Sequence, residues 1–279
     1  MRVSVRTACR ALRAAAWPCA VLLLAACASA QSTRDAKGGA TAAAANMQLG
    51  SAYLQQGNLP VAKDKLERAA SQAPRDAQVR GLLALLYSRM GEDARAEDSF
   101  REALRYAPAD PDLLNNYAVF LCSHGRADEG VKRFEQSAAN PLYRTPWAAY
   151  TNAGVCLRGA KRPAEAGARF ERALQVRPDY AEALAQLADL DLADGRSDRA
   201  LSRVQAFLGR NPPTADVLLL GWRAAGAEHD KLAAAQYAWR LQKEFGDSEQ
   251  AKSLADGPNG GQSGGQSGGQ SSAPAPGRP

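Results

Sequence analysis

Histidine is scarce in this 279-residue chain, which holds two, His124 and His229, each beside an expected helix turn. A zinc site takes about four ligands at close spacing, and no such group is assembled. Cys122 and His124 stand two residues apart, so on a helix they face different ways, poor geometry for a thiolate and its base. Carboxylates such as Glu97, Asp98 and Glu102 read as the solvated face of a helix. No glycine-rich phosphate loop of the Walker kind occurs. The expectation is a protein that is not an enzyme, with no metal, no cofactor and no small-molecule substrate. Aromatic residues make up 6% of the chain, which points to a core of Ala and Leu on closely spaced helices. Excess charge is also missing. Lys and Arg number 35 against 29 Asp and Glu, but four of the arginines lie in residues 1–26, which hold no acid, leaving a balance of +2. A nucleic-acid partner, which needs a clustered basic stripe, is not expected.

What the chain has in quantity is repetition. Gly57, Gly91 and Gly125 are 34 residues apart, and the same interval separates Ala62 from Ala96, Leu66 from Phe100 and Phe134, Ala69 from Ala103, and Pro74 from Pro108. The register then slips by two residues and resumes: Ala96 to Ala166, Phe100 to Phe170, Ala103 to Ala173 and Pro108 to Pro178 are each 70 apart. The extra residues fall in Asn140-Pro-Leu-Tyr-Arg-Thr-Pro-Trp147, where two prolines discourage helix and lengthen the link. A period of this length specifies a helical solenoid, in which no unit buries its apolar face alone and stability comes from stacking neighbours.

The 34-residue unit with small residues at fixed places and a closing proline resembles the tetratricopeptide repeat, a helix-turn-helix module. In the first unit Leu49, Gly50, Tyr53, Ala62, Leu66, Ala69 and Pro74 match that pattern. Gly50 and Ala62 permit close approach of helices A and B, Tyr53 and Leu66 fill the space between them, Pro74 ends helix B, and Gly57 suits a turn with positive φ. The fold class expected is all-α, a right-handed superhelical solenoid of about six repeats. The units lie near residues 43–76, 77–110, 111–144, 147–180, 181–214 and 214–247. Three departures stand out: Gly130 where alanine is usual, Leu142 in place of the proline, and Asp191 where Tyr or Leu belongs. The sixth unit is the weakest, anchored by Gly221, Ala233 and Tyr237, as expected of a terminal repeat that meets water.

The ends are of another character. Arg2, Arg6, Arg10 and Arg13 precede an apolar run from Ala14 to Ala26, 13 residues against the roughly 20 that a membrane span takes. Residues 1–26 therefore read as a secretory signal. It ends Leu24-Ala25-Ala26-Cys27, which resembles a bacterial lipobox and implies diacylglycerol on Cys27; ordinary cleavage after Ala28-Ser29-Ala30 is the other reading. Ala28 and Ser29 follow the cysteine without the Asp that implies inner-membrane retention, so by resemblance to Gram-negative lipoprotein sorting the expected location is the periplasmic face of the outer membrane. Residues 27–42 read as a lipidated tether, 43–247 as the solenoid, and 248–279, with three Gly-Gly-Gln-Ser copies and Ser-Ala-Pro-Ala-Pro, as a disordered tail.

Cys9 and Cys19 leave with the signal, so Cys122 and Cys156 remain in the folded part, 34 residues apart on expected A helices. Two readings stand: a disulfide stapling units three and four in an oxidising compartment, or two buried thiols acting as small hydrophobes. The resemblance to tetratricopeptide repeats also implies a concave groove lined by A-helix positions 2, 5, 9, 12 and 13. Those are Met47, Ser51, Leu54 and Gln55 in the first unit, Leu85, Ser88 and Arg89 in the second, and Asp112, Asn115, Val119 and Ser123 in the third. The mixture suits an amphipathic peptide, with Asn115 either a backbone hydrogen-bonder or an ordinary polar helix residue.

Three local strings add a closer resemblance: Ala45-Asn-Met-Gln-Leu-Gly-Ser-Ala-Tyr-Leu54, Asn115-Asn-Tyr-Ala-Val-Phe-Leu-Cys122 followed by Gly125-Arg126, and Asn152-Ala-Gly-Val-Cys156. Together with the lipobox and the array they resemble the type IV pilus biogenesis and stability lipoproteins, the PilF/PilW pilotin family, over about residues 20–250. The resemblance implies an outer-membrane lipoprotein that binds the secretin subunit and helps it reach the membrane and multimerise. The Gly-Gln-Ser tail departs from that pattern. The rival reading is another periplasmic repeat lipoprotein, one that scaffolds peptidoglycan enzymes.

Overall fold

The computed structural model describes residues 41–257, and among these residues there are α-helices, turns and one 3-10 turn but no strand. Six antiparallel helix pairs follow one another. They are α1 (41–55) with α2 (Leu59–Gln72), α3 (Ala77–Arg89) with α4 (Asp93–Tyr106), α5 (Pro111–Ser123) with α6 (Ala127–Ala138), α7 (Pro146–Gly159) with α8 (Pro163–Val176), α9 (Ala181–Ala193) with α10 (Ser197–Leu208), and α11 (Ala215–Ala227) with α12 (Lys231–Phe245). The 34-residue period is thus a helix-turn-helix period. The described residues form two compact units that divide between Tyr117 and Ala118, inside α5.

Each repeat is built by the same local rules. The A helix ends on a left-handed residue: Gly57, Gly91, Gly125 and Gly195 hold φ of 77°, 73°, 74° and 74°. The residue after it donates its N–H to the carbonyl five positions back, from Asn58 to Tyr53 O at 2.9 Å through Asp230 to Ala225 O at 2.9 Å. That bond satisfies a carbonyl which the helix end leaves without a partner. At the same place in repeats four and six stand Lys161 and His229, both at φ 59°. A side chain there is strained, because Cβ crowds the carbonyl in the left-handed region.

The B helix ends where proline dictates. Ala73, Ala107 and Arg177, the residues before Pro74, Pro108 and Pro178, leave the helical region at φ −133°, −135° and −138°. A following pyrrolidine ring excludes the αR conformation. Ala139 and Gly209, which have no proline next, stay αR. Three of the following A helices, α3, α5 and α11, start on a capping side chain. Asp76 accepts from the Gln78 and Val79 N–H groups, Asp110 from Asp112 and Leu113, and Thr214 from Val217. Ser248 stands 34 residues after Thr214 and caps a further short helix, α13 (Glu249–Lys252), by accepting from the Ala251 N–H. Ala251 is buried against Leu218 and Leu241. Helical packing therefore runs past residue 247, through the 3-10 turn Ser253–Asp256. Cys27, most of the 27–42 tether and the Gly/Gln/Ser tail lie outside the described residues.

Packing follows the register too. A methyl group on Gly50 would lie 2.6 Å from Leu66 Cγ, and one on Gly154 2.4 Å from the Phe170 ring, so these A helices approach their partners too closely for a Cβ. The equivalent Ala84, Ala118 and Ala188 are fully buried. In the first compact unit Leu66, Leu86 and Phe100 are fully enclosed; in the second Phe134, Phe170 and Leu218 are. Buried apolar area of this kind stabilises by about 25 cal/mol per Å². In the terminal pair only Leu241 of α12 is buried, while Leu232 and Trp239 are exposed.

Candidate functional site: a staple, an ion cluster and the A-helix faces

Cys122, at the end of α5, and Cys156, in α7, are bonded, with Cα atoms 5.6 Å apart and 34 residues of chain between them. Their sulfurs sit beside the cluster of Ala118, Phe134, Ala149 and Ala153. Gly130 is the reason they fit. A methyl group there would lie 2.4 Å from Cys122 Sγ, so the alanine of Ala62, Ala96, Ala166 and Ala200 has no room in this repeat. The staple spans the two-residue insertion. In that linker Asn140 Oδ1 accepts from the Leu142 N–H at 2.9 Å and Asn140 O from the Tyr143 N–H at 3.0 Å, which leaves Leu142 83% exposed. With Cys122 in a disulfide there is no thiolate for His124. That ring packs on Phe120, with centroids 4.2 Å apart, and its Nδ1 lies 2.7 Å from Phe120 O.

Asp191, the departure in repeat five, is a buried carboxylate held by arginines. Oδ1 accepts from Arg196 Nε and Nη2 at 3.1 Å, Oδ2 from Arg203 Nε at 2.8 Å, and Arg199 Nε lies 3.8 Å away. Glu171 in turn accepts from Arg199 and Arg203. Repeat two has the parent arrangement at the same positions. Tyr87 donates to Glu67, Arg95 donates to the Tyr87 hydroxyl at 2.6 Å, and the Arg95 guanidinium lies 3.9 Å from the Tyr87 ring centre. Burial, then the Glu67 carboxylate, push the Tyr87 phenol up to about 12. Asp191 thus replaces a tyrosine, and Arg203 and Arg196 stand where repeat two has Ser99 and Glu92. The buried charge is tolerated because its lone pairs are filled.

The expected groove residues divide into usable and unusable ones. In the first compact unit Met47, Ser51, Leu85, Ser88 and Asn115 are partly buried, while Gln55, Arg89 and Asp112 are exposed. Leu54 is not a contact residue: it is 4% exposed and belongs to the core, since position 12 of the first A helix turns towards the neighbouring helices. Arg89 donates to Leu54 O at 2.7 Å, a cation neutralising a helix C-terminus. Although Asp112 stays open to water, partial desolvation by its neighbours, then the Asp110 charge, raises its carboxyl above the ordinary value. In the second unit Ser123 is exposed but donates its hydroxyl to Phe120 O. Val119 is 45% exposed and Val155 39%.

Val155 was missed in the sequence, although the register gives it: the place of Val119 recurs at Val155, Asp189 and Arg223, at steps of 36, 34 and 34 residues. Arg158 and Arg223 hold the Asp189 carboxylate at 3.4 and 3.0 Å. This face offers apolar contact at one end and a charged cluster at the other. Among the described residues no group of three or more His, Cys, Asp or Glu is placed to hold a metal, and no helix is long and apolar enough to cross a membrane.

A tetratricopeptide-repeat family profile matches residues 63–210. The type IV pilus assembly protein PilF of Pseudomonas aeruginosa is 30% identical over 207 residues, which are 74% of this chain and 82% of PilF. The chain belongs to the tetratricopeptide-repeat family that includes PilF. Two solved structures agree with this. That of Pseudomonas aeruginosa PilF superposes with a TM-score of 0.62 at 28% identity, over 78% of this chain and 98% of PilF. That of PilW, described as a widely conserved type IV pilus biogenesis factor, gives 0.62 at 29% identity, over 76% and 98%. The chain is therefore a repeat-scaffold relative of type IV pilus assembly factors.

Proposed function

We propose that this chain is an outer-membrane lipoprotein of type IV pilus assembly, a pilotin, which binds the secretin subunit and promotes its membrane localisation and multimerisation without catalysing a reaction. The observation that carries the reading is the 30% identity to PilF across 82% of that protein. The Leu24-Ala25-Ala26-Cys27 string supports it, since lipid on Cys27 supplies the membrane address. Each buried acyl methylene contributes about 0.8 kcal/mol, so several chains on one cysteine hold firmly. The A-helix faces supply the grip: Val119 and Val155 take the apolar side of an amphipathic secretin segment, and the Arg158–Asp189–Arg223 cluster its polar side.

A Cys27→Ala variant tests the reading. The expected result is loss from the outer-membrane fraction and fewer secretin multimers, with helix content by circular dichroism unchanged. Unchanged fractionation overturns the lipid anchor. A pulldown from detergent-solubilised membranes that recovers murein hydrolases instead of secretin turns the function into a peptidoglycan-enzyme scaffold.

A further inference from the structure

Successive B helices carry the same ion pair twice. Glu135 of α6 meets Arg169 of α8, and Glu171 of α8 meets Arg203 of α10 at 3.0 Å. The two arginines differ in what else they reach. Arg203 gives its Nε to Asp191, but the residue at Asp191's place one repeat earlier is Leu157, fully buried in the core. Arg169 Nε is accordingly buried with no hydrogen-bond acceptor among the described residues. A buried guanidinium N–H left so is costly, because it has given up water for nothing.

Beside it runs a cleft of about 590 Å³ with Tyr150, Ala139 and Ala168 among its walls. The two acids on those walls, Glu135 and Glu171, are each taken by an arginine. Among the described residues the cleft's remaining cation, Arg172, meets no carboxylate: Nη1 donates to Gln175 Oε1 at 3.0 Å, and the guanidinium lies 5.8 Å from the Tyr150 ring centre. The cleft therefore combines an apolar wall with one uncompensated positive charge and one unused donor.

We propose that this cleft docks a carboxylate-bearing segment of a partner polypeptide. Tyr150, Ala139 and Ala168 take the aliphatic part of the acidic residue and its neighbour, and Arg172 pairs with the carboxylate. A turn of the Arg169 guanidinium lets its Nε donate to the same acid and completes the pair of acceptors that Arg203 already has in Asp191 and Glu171. A single uncompensated guanidinium against an apolar wall fits a carboxylate side chain rather than a phosphate dianion. The site is lined mainly by α8, with Tyr150 from α7, and shares no residue with the row of Val119, Val155, Asp189 and Arg223, so it stands or falls apart from the secretin reading.

The test is titration of the full mature chain with blocked tetrapeptides, acetyl-Ala-Leu-Glu-Ala-amide and its Gln counterpart, following the arginine Nε–Hε resonances by NMR. The proposal expects the acidic peptide to shift Arg169 and Arg172 saturably, the Gln peptide to bind about tenfold more weakly, and Arg172→Gln to abolish the shift while the fold persists. Arg172 is exposed, so that variant is not a packing change. No shift with the acidic peptide, equal shifts with both peptides, an undiminished shift in Arg172→Gln, or an equal response to inorganic phosphate overturns the proposal.

Discussion

Asp191→Ala removes a carboxylate whose side chain is 2% exposed and leaves three guanidinium groups around the gap. Hydrogen bonds to charged groups are each worth about 1.5–3 kcal/mol, and breaking a fully buried pair costs about 3–5 kcal/mol. Here the loss is smaller. The side chains of Arg196 and Arg199 are 46% and 50% exposed and regain water, and Arg203 keeps Glu171 at 3.0 Å. The expected cost is about 2–3 kcal/mol, or about 6–10 °C in Tm for a folded part of this size. Asp191→Leu is the informative companion. It recreates the Leu157 and Arg169 combination of repeat four, leaving the Arg203 Nε without its acceptor but filling the space with apolar contact, so its cost is expected to be smaller than that of Asp191→Ala. Thermal unfolding followed by circular dichroism, with hydrogen exchange of α9 and α10 to localise the loss, measures both. If Asp191→Ala lies within about 0.5 kcal/mol of the parent, or Asp191→Leu is the worse of the two, the reasoning about buried charge in repeat five is wrong.

Further outcomes follow from the turns and the staple. Replacing Cys122 and Cys156 together by Ala frees a loop with a sequence separation of 34, and the chain-entropy relation gives a loss of about 4 kcal/mol; a melt with and without reductant checks it, and reductant is expected to leave the variant unchanged. Lys161→Gly and His229→Gly relieve a left-handed side chain at φ 59°, and each is expected to stabilise by about 0.5–1 kcal/mol, whereas Gly195→Ala, at φ 74°, is expected to destabilise by about 1 kcal/mol. Denaturant titration reads all three.

What the sequence disclosed was local and repeated. Turn glycines, prolines after B helices and small residues at A–B crossings each act within a few residues, so the 34-residue spacing exposed them, and the two-residue slip located the linker. What it concealed depends on distant atoms. Gly130 looked like degeneracy because nothing in its neighbourhood announces that Cys122 Sγ fills the space of the missing methyl. Asp191 stood out only as a departure because its partners, Arg196 in the following turn and Arg203 on the next helix, reach it only once the pair is folded. Leu54 resembled a groove residue by position, yet its burial depends on how its helix is covered. Val155 was within reach, since carrying position nine through the slip from Val119 leads to it.

Site-specific photocrosslinking in cells tests the central claim most directly. A benzophenone amino acid at Val155, with a control at Gln205, which is exposed on α10, is irradiated and the adducts identified by mass spectrometry. The account predicts a secretin adduct from position 155 and none from position 205; a murein hydrolase at position 155, or secretin from position 205 alone, contradicts it.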